Sequence, residues 1–380
     1  MGGEKVNNCN QRQWEEEFLK KIYDKRLKTQ DRIKSLYPYT TKDGRYDTVI
    51  PGRFNWTCGF WGAIQWLLYE YENDKAFLDS ANECTDDVIQ SLKELLTLSH
   101  DLGFQFYPTA VKGYEITGNE LYRRAALYAA NLLAGRYNPD GRFIRAWDEG
   151  NSAYPGMTSG LAIIDCMMNL SLLYWAGREM EDPRFKQIAN SHADTVMKEF
   201  VRENGSVNHI VIFDSDTGEV IDKPRGQGYA PGSSWTRGQA WAIYGFTEGY
   251  ENTGKKEYLE TALKVAEYFI GEMGEKTVPP IDFAQPTEDD YIDTTAGVIA
   301  ASGMTKLKEY VSEDSAEKLE HMICRLLEGA YQNCSFDLEE DSILQNGSEM
   351  YHNKEGIHKH IIYGDYYLIE VLLKRTKNKN

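Results

Sequence analysis

The chain has 380 residues, with 59 acidic against 42 basic side chains and a formal net charge of −17. That balance excludes a nucleic-acid partner, which needs a basic footprint, and it gives polyanions no general attraction. A hydrophobic fraction of 41% supplies a large core, and no apolar run is long enough to cross a membrane as a helix.

Helical hairpins recur in chain order. A first outer helix over 11–35 precedes an inner helix that opens near 57, at Asn55–Trp56–Thr57–Cys58–Gly59–Phe60–Trp61. Asn73–Asp74–Lys75–Ala76–Phe77, with Ala81, turns into an outer helix over 76–99. The second inner helix opens near 103, and Thr117–Gly118–Asn119–Glu120, with Tyr122 and Ala126, begins its partner over 120–135. A third inner helix near 158 leads through Glu181–Asp182–Pro183–Arg184–Phe185, with Ala189, into an outer helix over 183–202. The one strand-like stretch, 207–213 before Asp216–Thr217–Gly218, predicts a hairpin in a long loop over 203–233. A fourth inner helix begins near 235, and Thr253–Gly254–Lys255–Lys256, with Tyr258 and Ala262, opens its partner over 256–273. Inner helices near 293 and 364, an outer helix over 314–332 and a second long loop over 336–362 complete the pattern.

In each hairpin the turn residues stop one helix and cap the next. The aromatic and the Ala, four residues apart, share one face of the outer helix. The inner helices are apolar nearly all round, which fits burial by a second helical layer. Six of each predict a single all-α, (α/α)6-barrel domain over 1–380, with a small β-hairpin in a rim loop. An open solenoid is the alternative, and it would leave two ends exposed.

Asp165 sits in the run Leu161–Ala162–Ile163–Ile164–Asp165–Cys166–Met167–Met168–Asn169–Leu170. An isolated ionised carboxylate there costs too much to leave unpaired. A carboxyl kept protonated near neutral pH is what a general acid requires. Asn169, four residues on, gives the helix a polar stripe that lines a pocket if it faces the barrel axis. Otherwise Asp165 pins a neighbouring helix through a buried hydrogen bond. Asp101 is placed to cap the second inner helix, whose dipole favours the anion. The expected pair is therefore Asp101 ionised and Asp165 protonated.

Arg237 and Trp241 share a helix face. They read as a carboxylate-binding cation beside a sugar platform, or as a cation–π pair of their own. The chain carries 25 Tyr and 8 Trp, residues common where sugars stack, and Trp56 is a candidate for such stacking. His100, His209, His358 and His360 match no metal-ligand spacing. Walker A, dinucleotide-binding and Gly-x-Ser-x-Gly motifs are all missing, so neither a metal nor a cofactor is expected. Six scattered cysteines (Cys9, Cys58, Cys84, Cys166, Cys324, Cys334) form no Cys-x-x-Cys pair. With a charged, polar start at Trp14–Glu15–Glu16–Glu17, they predict free thiols and a cytoplasmic location.

Six motifs follow one another on these helices: Trp56–Thr57–x–Gly59–Phe60–Trp61, His100–Asp101–x–Gly103–Phe104, Ala146–Trp147, Ile163–Ile164–Asp165–Cys166–x–x–Asn169–Leu170, 232–241 and Gly364–Asp365–Tyr366–Tyr367. In them the chain resembles the unsaturated glucuronyl hydrolases, glycoside hydrolase family 88, from about Asn55 to Lys374. The resemblance implies an (α/α)6 barrel and a substrate made by polysaccharide lyases, an oligosaccharide ending in a 4,5-unsaturated uronic acid. It implies hydration of the double bond, with Asp165 as the acid/base and Asp101 as the second essential carboxylate. His209, Gln227, Arg237 and Trp241 match substrate-contacting positions, Trp56 and Trp147 match aromatic walls, and His100 lies against the sugar. The alternatives are an unsaturated rhamnogalacturonyl hydrolase acting on pectin fragments, a non-catalytic sugar-binding toroid, and an epimerase needing a His pair.

Overall fold

The computed structural model describes residues 2–33, 37–49, 55–93, 98–148 and 154–377. The ends of two expected outer helices, 34–35 and 94–97, lie outside the described residues. The chain runs α1 (Gly2–Thr29), β1 (Tyr37–Lys42), β2 (Arg45–Val49), α2 (Cys58–Glu72), α3 (Lys75–Gln90) and α4 (Leu102–Phe106). After a π-helical turn come α5 (Lys112–Thr117), α6 (Glu120–Ala134), β3 (Tyr137–Asn138), β4 (Phe143–Ile144), β5 (Leu161–Ile163), α7 (Cys166–Glu179) and α8 (Pro183–Glu199). Then follow β6 (Ile210–Phe213), β7 (Val220–Asp222), α9 (Thr236–Thr253), α10 (Lys256–Met273), α11 (Thr294–Leu307), α12 (Glu313–Gln332) and α13 (Ile362–Thr376).

The turn chemistry acts as its residue types dictate. Asn73, Gly118 and Gly254 end α2, α5 and α9 in the left-handed conformation. Asp74, Asn119 and Asp182 then accept backbone N–H groups at the starts of α3, α6 and α8. Outer helices bury one face, as α6 does with Tyr122, Ala126, Ala129, Ala130 and Leu133. Inner α9 is buried without a break from Thr236 to Gly249.

The inner helices pack in the sequence α2, α4, α7, α9, α11, α13, and α13 packs back on α2. Outer α3, α6, α8, α10 and α12 pack on α2, α4, α7, α9 and α11, and α1 covers α13. The ring is closed, so this is an (α/α)6 barrel and not a solenoid.

Two features depart from expectation. The third inner helix starts at Cys166, because residues 161–163 form β5, antiparallel to β6 with Ile163 opposite Ile210. The strand-like stretch is thus the centre of a three-stranded sheet, β5–β6–β7, rather than half of a lone hairpin. The apolar run 161–164 has no period of its own and suits either element. Its alternation shows only in the fold: Leu161, Ile163, Ile210 and Ile212 join Ala146 in a small separate cluster, while Ala162 and Val211 face the main core. Two further hairpins, β1–β2 and β3–β4, also decorate the barrel.

Candidate active site

The inner helices' N-termini meet at one end of the barrel. There Trp56, just ahead of α2, packs on Phe104 of α4 and on Tyr363 of α13, with ring centroids 5.5 and 5.0 Å apart. Five N-cap side chains, those of Asp74, Asn119, Asp182, Asp293 and Ser312, bond to their own helices. Asp101 and Asp165 occupy the same position on α4 and α7, and neither side chain caps its helix. Both carboxylates are therefore free to face something else.

Asp101 is 8% exposed. Ser99 Oγ donates to its Oδ2 at 2.6 Å, and His100 Nε2 lies 3.3 Å from its Oδ1. His100 is fully buried and neither ring nitrogen has a well-aligned hydrogen bond. Burial pulls its pKa down against the opposing charges of Asp101 and Asp165.

Asp165 keeps 14% of its side chain exposed, and His209 Nε2 lies 3.4 Å from its Oδ1. The two are not aligned as a hydrogen bond, and neither atom has a hydrogen-bond partner elsewhere. Burial pushes the Asp165 carboxyl up, but the adjacent His209, with His100 and Arg237 beyond, holds it below the ordinary carboxylate value. This corrects the expected protonated acid in an oily helix. Asp165 stands at a helix start among imidazoles, and those favour its ionised form.

Asn169 does not line a pocket with its carbonyl: Oδ1 accepts the Phe104 N–H at 2.7 Å. Gly103 crosses α7 so tightly that a Cβ there would overlap Asn169 Cα. The crossing fixes the start of α4 against that of α7, and so Asp101 relative to Asp165. Both carboxylates act on the buried Cys166 thiol, which burial already pushes well up.

The other expected residues divide into two groups. Trp56, Trp147 and Gln227 are partly exposed; Trp147 packs with Tyr154 on the small sheet cluster. Arg237 and Trp241 are buried at 3% and 0%. The Arg237 guanidinium bonds Asp293 and the Ser348 carbonyl, reaches the Glu349 carbonyl at 2.7 Å and Gln227 Oε1 at 3.4 Å, and covers the Trp235 ring. Trp241 packs between Phe104 and Tyr367. The sequence reading missed Trp235, which packs between Arg237 and His209, and Asp293, the counter-ion of Arg237. Both stand in helix-opening motifs, but nothing local marks their partners. Among the described residues no group of His, Cys, Asp and Glu is arranged to hold a metal ion.

A site with two uncapped carboxylates flanked by imidazoles and aromatic rings suits proton transfer to and from a sugar. The comparisons agree. The family model for Glycosyl Hydrolase Family 88 matches residues 20–251. The unsaturated glucuronyl hydrolase of Bacillus sp. (strain GL1) is 33% identical over 348 residues, 89% of this chain and 90% of that protein. The unsaturated chondroitin disaccharide hydrolase of Streptococcus pneumoniae is 32% identical, covering 88% of this chain and 86% of that one. The crystal structure of the Bacillus sp. GL1 enzyme superposes with a TM-score of 0.85 at 30% identity, over 95% of this chain and 96% of that one. This chain belongs to Glycosyl Hydrolase Family 88.

Proposed function

We propose that this glycosidase hydrates the C4=C5 double bond of a 4,5-unsaturated glucuronic acid at the non-reducing end of a lyase-made oligosaccharide, and so releases the next sugar. The observation that carries the reading is Asp165: a helix-start carboxylate that does not cap, beside a histidine that has no other partner on that side.

In the free site Asp165 favours its ionised form. An arriving uronate brings a like charge and displaces water, and both effects raise the carboxyl's proton affinity. The protonated acid then gives its proton to C4, and positive charge develops at C5 and the ring oxygen. Water adds at C5, and the Asp165 carboxylate takes its proton. The C5 hemiketal opens to a ketone, and the neighbouring sugar departs from C1. Asp101, anchored by Ser99 and beside His100, stabilises the developing charge or orients the sugar. Trp56 and Trp147 wall the sugar, His209 and Gln227 contact it, and the buried His100, Arg237 and Trp241 back that layer.

The whole chain acts as one catalytic domain on this reading. The described cysteines are all free, which supports a cytoplasmic location. No helix among the described residues is long and apolar enough to cross a membrane.

The test follows the ultraviolet absorbance of the conjugated double bond in unsaturated disaccharides from hyaluronan, chondroitin, heparin, alginate and pectin. Glucuronyl substrates should lose that absorbance. Turnover of the pectin product alone would move the enzyme to rhamnogalacturonyl substrates, and no turnover would leave a sugar-binding toroid. Asp165→Asn should cut turnover by at least about 100- to 10,000-fold with binding and folding retained; near-normal activity would sink the mechanism.

A further inference from the structure

Strand pairing decides where His209 stands. Ile163 faces Ile210 across β5 and β6, and the next backbone bond runs from the Ile164 N–H to the His209 carbonyl at 3.0 Å. Asp165 follows one strand and His209 precedes the other, so their side chains emerge together. The ring is then held from three sides. Trp235 packs on its face, with centroids 4.3 Å apart. The Gln227 backbone N–H donates to Nδ1 at 2.9 Å. Gly226 passes so close that a Cβ would overlap Nδ1, and its φ of +60° is one that glycine adopts without strain. On the fourth side Nε2 lies 3.4 Å from Asp165 Oδ1.

A ring nitrogen that accepts a hydrogen bond carries no proton, and in a neutral imidazole the other nitrogen then does. We propose that the Gly226–Gln227 turn is a positioning device for the catalytic acid: it holds His209 as the neutral tautomer, with the protonated Nε2 on the Asp165 side, 3.4 Å from its Oδ1. This deepens the proposed function and rests on Asp165 being the proton donor.

The chemical consequence concerns charge. A neutral Nε2–H presents the Asp165 carboxylate with a dipole and no net charge. An imidazolium in its place would add a full positive charge and favour the carboxylate far more, leaving little acid to protonate C4. The turn therefore orients the pair without adding a full positive charge that would oppose protonation of Asp165 when the sugar arrives. The remaining charged and titratable groups around the pair are Asp101 and His100 ahead of α4, Cys166 of α7, Arg237 of α9 with its partner Asp293, and Tyr367 of α13. None of them touches Nδ1, so the Gln227 N–H alone sets the tautomer.

Two measurements test this on the full-length protein. In the first, histidine is labelled with ¹⁵N and the His209 signals are assigned by their loss in His209→Gln. At neutral pH Nδ1 should resonate as an unprotonated and Nε2 as a protonated nitrogen. The reverse pattern, or two protonated nitrogens, overturns the proposal. This readout needs no substrate, so it stands even if no unsaturated sugar is turned over. In the second, Gly226→Ala should lower kcat by about tenfold or more, with a much smaller change in KM. Loss of the positioned Nε2–H removes a dipole that favours the ionised Asp165, so the alkaline limb of kcat/KM should move to higher pH. A fall in kcat with an unmoved limb would assign the turn a merely structural role and overturn the proposal, as would wild-type kinetics.

Discussion

Arg237 stands four residues before Trp241 on an inner helix. In sequence the pair reads as a cation beside a sugar platform. In the fold the guanidinium is consumed by Asp293, by two loop carbonyls and by Gln227, and Trp241 is sealed between two rings. The residue types were legible, but their partners were not. Asp293 is 56 positions away and the Ser348 carbonyl is 111 away, distances that no local pattern spans. Asp293 also accepts from Thr295 and from the Ser348 N–H, and its side chain is wholly buried. Truncating one partner of a buried pair leaves the other charge stranded, at a cost of about 3–5 kcal/mol. Arg237→Ala should therefore lose about that much stability in urea unfolding. Arg237→Lys should recover only part, because an ammonium keeps the charge but not the planar fork. A loss below about 1 kcal/mol in Arg237→Ala would mean that the pair behaves as a solvated one.

Whole helices were easier to read than their partners. Four outer helices carry turn residues, an aromatic and an Ala at fixed offsets, and α3, α6, α8 and α10 start within a residue or two of where these signals put them. The inner helix after β5 was placed too early because a buried strand and a buried helix share the same apolar composition. One seam between elements was invisible for the same reason as Asp293. At the end of α13, Arg375 forks Glu320 of α12 at 2.7 and 3.0 Å and reaches Glu15 of α1 at 2.6 Å, while Lys308 also bonds Glu320. Burial pushes the Glu320 carboxyl up, but Arg375 and Lys308 outweigh it and hold the group at about 2, below its ordinary 4.5. A depressed folded-state pKa gives stability that is present above the ordinary value and lost as pH falls through the folded one. Stability should thus decline between roughly pH 4.5 and 2 in the native chain. Glu320→Gln should flatten that window and lower neutral-pH stability by up to about 1 kcal/mol, a modest figure because a third of the side chain meets water. An acid-unfolding curve unchanged by the substitution would show that the seam contributes nothing.

At the scale of the molecule, charge is divided between the two ends of the barrel. At the far end Lys306 pairs with Glu248 and Glu251, and Lys374 pairs with Glu370; Glu248 and Glu370 also line a cavity of about 40 Å³. The end that carries Asp101 and Asp165 gathers inner-helix N-termini, whose partial positive charge favours anions only within the first turn. Arg237, the cation buried behind that end, is already neutralised by Asp293. Beyond about a Debye length of roughly 10 Å an approaching uronate meets the field of a protein with a net charge of −17. The long-range field therefore opposes encounter, and the attraction that seats the sugar acts only at contact. Salt screens the first and hardly touches the second. Raising ionic strength from about 0.01 to 0.15 M should therefore increase kcat/KM for an unsaturated disaccharide, with little change in kcat. A disaccharide carrying an added sulfate should show the larger increase. If kcat/KM fell with salt instead, a positive field at the mouth would outweigh the global charge, and cations of the rim loops would be steering the substrate in.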